Sequence, residues 1–200
     1  MIRTVTLARE YGSGGGQIAE RVARRLGWEL IDRNLIEEIS EKFHLNVSAA
    51  QRLQERGSWW LERVARAIWL HTGGTTVDVA DVENVHEFTR HAILEAARRG
   101  NSVIVGRGGQ CVLQERSDVL HVFVFAPLEY RIERLRRRYK TEDEVLNAIA
   151  RVDDERSAYI REFYDTEWKD PSLYHLWVNG NMGLEAAVEI IVDAVKAPKA

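Results

Sequence analysis

The stretch Ala8-Arg9-Glu10-Tyr11-Gly12-Ser13-Gly14-Gly15-Gly16-Gln17-Ile18-Ala19 decides the fold. Just before it, Ile2 to Ala8 alternates and is rich in Val, Thr and Leu, which predicts a first β-strand. Four glycines in the five positions 12–16 interrupt that pattern. From Gln17 the period changes. Ile18, Val22 and Leu26 recur every fourth residue with Arg21, Arg24 and Arg25 on the other side, an amphipathic helix stopped by Gly27. A strand that runs into a glycine-rich turn opening a helix suits an anion, because backbone N–H groups point into the turn and the helix N-terminus adds positive potential. A side chain there would strain the turn and hold a phosphate away. The bland alternative is a flexible strand-to-helix connection, although a simple turn seldom needs so many glycines.

The candidate phosphate-binding residues are therefore Gly12, Ser13, Gly14, Gly15, Gly16 and Gln17. The pattern G-x-x-x-x-G-K-[ST] would put a lysine directly after Gly14, and Gly15 stands there. The hydroxyl that helps to hold magnesium is displaced too, since Gly16 and Gln17 follow. The geometry for a phosphate is kept, and the missing charge must come from Arg9 or from a distal arginine.

Outward from the loop, strands and helices alternate. Trp28 to Ile31 is a second short apolar run ending at Asp32, and Asn34 to Phe43 returns to helical spacing. The segment 44–82 reads as a helical insert, with Trp59, Trp60, Ala67 and Ile68 on one side and a loop at Thr72–Thr76. Val85, Phe88, Ala92 and Ala96 mark a helix closed by Gly100. Ser102 to Val105 is a buried strand followed by Gly106-Arg107-Gly108-Gly109, and Val119 to Phe125 is the clearest strand of the chain. Pro127 opens a helix, a further helix runs from about Val145 to Tyr164, Leu176 to Val178 is a short last strand, and Leu184, Val188, Ile191 and Val195 define a final helix. Such alternation predicts an α/β fold with a mostly parallel sheet covered on both faces.

The 200 residues fit one domain carrying a small insert. A formal net charge of −3 gives no overall reason to expect a nucleic-acid partner. Cys111 is the only cysteine, so an intramolecular disulfide and a cysteine-based metal cluster are excluded. The first residues carry no apolar signal region, and no run approaches the ~20 apolar residues that a bilayer span requires. The expectation is a cytoplasmic protein without membrane partners. The six histidines show no metal spacing, and nothing in the sequence sets an oligomeric state.

Arg131, Arg134 and Arg138 share one helical stripe, with Arg136 and Arg137 beside it and Ile132, Leu135 and Tyr139 opposite. Phosphoryl transfer uses such guanidinium groups to neutralise charge spread over phosphate oxygens; a solvated basic face is the alternative. Arg107 directly follows a buried strand between glycines, where α/β folds bind ligands, and reads as a phosphate ligand rather than a structural ion pair. Asp32 has the same strand-end placement and could serve magnesium, a sugar hydroxyl or only a helix cap. Asp153 and Arg156, at i, i+3, could simply pair with each other.

Several of these stretches together resemble the cytidylate kinase-like family, whose loop reads R-E-x-G-S-G-G. They are Ala8 to Ala19, Leu30-Ile31-Asp32, Val103-Ile104-Val105-Gly106-Arg107-Gly108 and Asp153-Asp154-Glu155-Arg156-Ser157-Ala158-Tyr159. The resemblance implies a nucleoside monophosphate kinase fold, with a five-stranded parallel sheet flanked by helices, a P-loop, an insert over the acceptor nucleotide at about 44–82 and a lid at about 136–172. It implies ATP with magnesium as donor, a nucleotide such as CMP or dCMP as acceptor, and small-molecule nucleotides rather than nucleic acid as partners. It places Asp32, Arg107, Asp153 and Arg156 on the substrate side, with Arg9, Arg134 and Arg138 as candidate catalytic cations. The sequence departs from true cytidylate kinases at Gly15, at Val105 where they carry an acidic residue, and at Arg33 where they carry a small hydroxyl residue.

Overall fold

Residues Thr4–Arg9 form β1 because the β-branched Thr4 and Thr6 alternate with Val5 and Leu7 and let each face of the strand be buried. The structure, a computed structural model, describes residues 1–32 and 82–197. The insert expected at 44–82 and the helix expected at Asn34–Phe43 lie essentially outside those residues. Contacts divide the chain into two compact units, 1–30 with 101–200, and 31–100.

In the first unit β1 leads through the glycine loop into α1 (Gly15–Leu26) and then β2 (Glu29–Ile31). After residue 100 come β3 (Ser102–Val105), a single turn α3 (Gly109–Val112), β4 (Val119–Phe125) and α4 (Leu128–Leu135); α2 (Val82–Arg99) belongs to the second unit and buries Ala92, Ile93, Ala96 and Ala97 on one face. A 3₁₀ turn at Arg136–Arg138 follows α4, then α5 (Glu142–Tyr164), β5 (Leu176–Asn179) and α6 (Leu184–Lys196). The sheet is five-stranded in the order β2-β3-β1-β4-β5, and β1 pairs in parallel with β3 and β4, as β4 does with β5. Among the described residues no helix is long and apolar enough to cross a membrane.

The period of two along the strands sorts side chains onto two layers. Val5, Leu7, Val103, Val122 and Val124 face Ile18 and Val22 of α1 and Val188, Ile191 and Val195 of α6 in one apolar core. On the other face Ala8 and Phe123 meet Ile160 of α5 with Trp168, Leu173 and Tyr174. Exposed ion pairs tie α1 to α6, Arg21 with Glu185 and Arg25 with Glu189, and contribute little each.

A polar strip crosses the sheet interior. Thr6 Oγ1 lies 2.7 Å from His121 Nδ1, the backbone N–H of His121 donates to His175 Nδ1 at 2.9 Å, and the two imidazoles stack at 5.0 Å. Burial, with help from His175, pulls His121 down to about 4. A histidine whose folded value is depressed binds fewer protons folded than unfolded, so its stabilisation is present above pH ~6.5 and is lost as pH falls toward ~4. Urea unfolding is expected to show a loss of up to about 3 kcal/mol across that window, at 1.36 kcal/mol per pKa unit. His86 shifts in the same direction, so the difference between wild type and His121→Gln isolates this group. An identical pH slope in the two proteins would refute the assignment.

Candidate functional site

The strand-to-helix loop is a tight turn with its inner side filled. Gly12 and Gly14 adopt left-handed φ of 83° and 88°, and between them Ser13 is fully buried. The Ser13 N–H and hydroxyl both donate to the Glu10 carbonyl, at 3.3 and 2.8 Å. Behind the turn, the Ser13 carbonyl packs so closely on Gly180 that a Cβ there would collide with it. On the open side, no described atom beyond its chain neighbours and the helix's own backbone lies within 4 Å of where a Cβ of Gly16 would stand. At the helix start the Gly15 N–H donates to Ser13 Oγ at 3.4 Å, and Gly14 has no side chain to cap α1, so it is the N–H groups of Gly16 and Gln17 that the helix presents to that opening.

Buried charges hold the loop in place. Glu10 accepts from the Ala126 N–H at 3.1 Å and pairs with Arg131 at 3.1 Å and with Lys169. Burial by itself would raise the Glu10 carboxyl; the bonds from Lys169 and Ala126 and the charge of Arg131 outweigh it and leave the carboxyl below its ordinary range. Arg131 donates to the Tyr11 carbonyl at 2.9 Å and pairs with Asp153 at 2.5 Å, and Asp153 in turn accepts the Tyr11 N–H at 2.8 Å. Arg156 donates to the Arg9 carbonyl at 2.6 Å and lies 3.4 Å from Asp153. The i, i+3 pair is thus present, and both of its members also brace the loop backbone. Glu10 and Lys169 are not among the candidate site residues. Glu10 had a signal, since it lies within the R-E-x-G-S-G-G stretch; Lys169 had none.

Two cationic side chains lie beside the loop. The Arg134 guanidinium sits 3.5–3.7 Å from the position of a Gly14 Cβ, steadied by Gln17 Oε1 at 2.7 Å and by the Tyr130 ring at 5.6 Å. Arg9 runs the other way, with its Nη1 against Gly106 at the end of β3. There Gly106, Arg107 and Gly108 have φ of 74°, 56° and 73°. For the arginine this left-handed conformation costs roughly 1–2 kcal/mol, and strain of this kind collects at functional sites. Tyr164 packs over Gly108, and the charge of Arg107 reaches Tyr159, whose phenol burial raises and Arg107 lowers. Cys111 in α3 is pushed up to about 11 by burial, which leaves it without nucleophilic thiolate near neutral pH.

A profile of the cytidylate kinase-like family matches residues 4–181. The chain belongs to that family. Among solved structures it is similar to an uncharacterized protein from Eubacterium ventriosum ATCC 27560, at 18% identity and TM-score 0.69 over 99% of this chain and 100% of that one. It is also similar to shikimate kinase from Bacteroides thetaiotaomicron, at 19% identity and TM-score 0.53 over 97% and 98%. At these identities the likeness concerns the fold, which is that of P-loop kinases. No curated protein matches the sequence.

For this cytidylate kinase-like chain, the structure brings Arg9, the loop from Gly12 to Gln17, Arg134, Asp153 and Arg156 into one region, with Arg107 one strand away. Arg138 lies on the exposed 3₁₀ turn beyond α4, and Asp32 follows β2 in the second unit. The expected arginine stripe is corrected at one position. Arg131 turns inward, with a side chain only 8% exposed, because Glu10 and Asp153 satisfy its charge. The glycine cradle, the start of α1 and Arg134 fit a chain of phosphates. The described residues contain no group of three or more His, Cys, Asp or Glu that could hold a metal ion.

Proposed function

We propose that this protein is a phosphotransferase of the nucleoside monophosphate kinase type, moving a phosphoryl group from ATP, with magnesium, to a pyrimidine nucleoside monophosphate such as CMP or dCMP in the cytoplasm. The observation that carries this reading is the loop itself. Two left-handed glycines shape the turn, the start of α1 is open at Gly16, and a buried ion network fixes the backbone around them. The N–H groups at the start of α1 would receive the donor phosphates, and Arg134 would neutralise them from the α4 side. Arg107 would hold the acceptor phosphate, the strain of its backbone being repaid in ligand binding. Asp153 and Arg156 would keep the loop from yielding when charge builds up. Magnesium supplies charge neutralisation between the donor phosphates when it is bound.

A second reading has a specific observation in its favour. Glycine at position 15 removes the cation that commonly stabilises charge on the leaving phosphates, which would suit a protein that binds a nucleotide and turns it over slowly or not at all. Steady-state assays with CMP, dCMP and UMP at saturating ATP and magnesium separate the two, because turnover in the range of ~1–100 per second supports the kinase. Arg107→Ala is expected to weaken monophosphate binding by about 1.5–3 kcal/mol, the scale of a charged hydrogen bond, and to change ATP binding much less. Equal losses for both ligands would remove Arg107 from the acceptor side.

A further inference from the structure

With Gly14 as the second glycine of G-x-x-x-x-G-K, the first glycine falls at position 9 and the lysine at position 15. This chain has arginine at 9 and glycine at 15, so the two residue types are exchanged. The structure gives that exchange a geometric reason. Gly15 is not among the residues with positive φ, and it heads a helix, so its backbone does not call for glycine. The space around it does. A Cβ at position 15 would stand 2.5 Å from Cβ and 2.9 Å from Cγ of Arg9. At the far end of the same side chain, Nη1 presses on Gly106, where a Cβ could exist only if the guanidinium moved. The stem of Arg9 therefore fills the space that a loop lysine would need, and two glycines flank its course.

We propose that Arg9 takes over the task of the missing loop lysine, delivering its charge from the strand side of the loop to the crevice between the carboxyl ends of β1 and β3. The ligand it takes is a polyphosphate, held at the loop end beside Gly106. Arginine suits this because its charge persists at every physiological pH and its fork can grip two phosphate oxygens at once. The bond from Arg156 to the Arg9 carbonyl at 2.6 Å fixes the backbone from which the side chain departs. The inference rests on the proposed function in one respect, that phosphates bind at this loop. It also has a consequence of its own: adding the lysine back is not a gain, because Gly15→Lys collides with the stem of Arg9, whereas Arg9→Gly/Gly15→Lys frees the path.

The test is calorimetric titration with Mg·ATP and, separately, with inorganic pyrophosphate, on wild type, Arg9→Met, Gly15→Lys and the double variant. Thermal melts of each verify the fold. Arg9→Met keeps the stem under α1 and removes only the charge, so it is expected to fold and to bind pyrophosphate about 10- to 100-fold more weakly. Gly15→Lys is expected to bind clearly more weakly than wild type, because the new side chain displaces the stem of Arg9, and the double variant to recover most of the affinity lost in Arg9→Met. Unchanged pyrophosphate affinity in folded Arg9→Met overturns the proposal, as does a Gly15→Lys variant that binds as tightly as the double. If the double variant does not fold, Arg9→Met decides alone. Should wild type ignore Mg·ATP yet bind pyrophosphate through Arg9, the kinase reading falls and the role of Arg9 stands. If neither ligand binds wild type, both fall.

Discussion

Arg131→Ala is expected to cost about 3–5 kcal/mol of folding stability, the penalty for stranding buried charge when one member of an ion network is removed. Glu10 and Asp153, whose side chains are 10% and 13% exposed, would be left facing each other without the cation between them. The Tyr11 carbonyl would lose its donor as well. Set against the 5–15 kcal/mol that typically holds a domain together, that loss is large, and it falls directly behind the glycine loop. Arg136→Ala provides the contrast. Arg136 also pairs with two carboxylates, Glu133 at 3.1 Å and Glu142 at 3.3 Å, but its side chain is 58% exposed, and water replaces both partners. Its loss is expected to stay within about 1 kcal/mol. Urea titrations of both variants at pH 7 give the comparison, and comparable losses would show that burial of Arg131 does not set its worth.

Arg131 also marks where the sequence could be read and where it could not. Ser102–Val105 and Val119–Phe125 are strands at the predicted bounds, since a short apolar run ended by glycine or a proline turn has few other uses. Periodicity placed the long helix at Val145, whereas α5 begins at Glu142. Its first turn is wholly acidic and carries no apolar signal, although Thr141 and Glu144 form a capping box that the T-x-x-E spacing announces. The arginine stripe was drawn on one continuous helix, but α4 ends at Leu135 and the chain tightens into a 3₁₀ turn. Spacing cannot distinguish an inward arginine from a solvated one when its partners, Glu10 and Asp153, stand far away along the chain. The single turn α3 is too short for any period to reveal it.

At the candidate site, the loop was legible because strand, glycines and helix are contiguous. Its bracing was not, because Lys169, Arg131 and Asp153 reach it from three later segments. The same contrast applies to Arg9. Its place at the loop start is plain in the sequence, but only the close approach to Gly15 and Gly106 shows where its side chain goes.

Gly16→Asp is expected to abolish phosphate binding while leaving stability nearly unchanged. Two observations support the structural half of this. Gly16 is exposed in α1 with ordinary φ, and no described atom beyond its chain neighbours and the helix's own backbone lies within 4 Å of the new Cβ. A carboxylate in the first turn of a helix is moreover favourable by about 0.3–1 kcal/mol, so the folded protein has no reason to object. The binding half follows from the same electrostatics with the opposite sign. The added charge sits at the opening where the N–H groups of α1 would meet a phosphate, and it both competes for those donors and repels the ligand. Two unit charges at 4 Å and an effective dielectric constant of about 20 interact by roughly 4 kcal/mol, close to three powers of ten in affinity. Gly14→Val is a blunter probe of the same loop, because a β-branched residue at φ 88° adds strain and crowds Arg134. Pyrophosphate and Mg·ATP titrations beside a thermal melt give the answer. A Gly16→Asp protein that melts with wild type and still binds either ligand at wild-type affinity would show that phosphates do not enter over the start of α1.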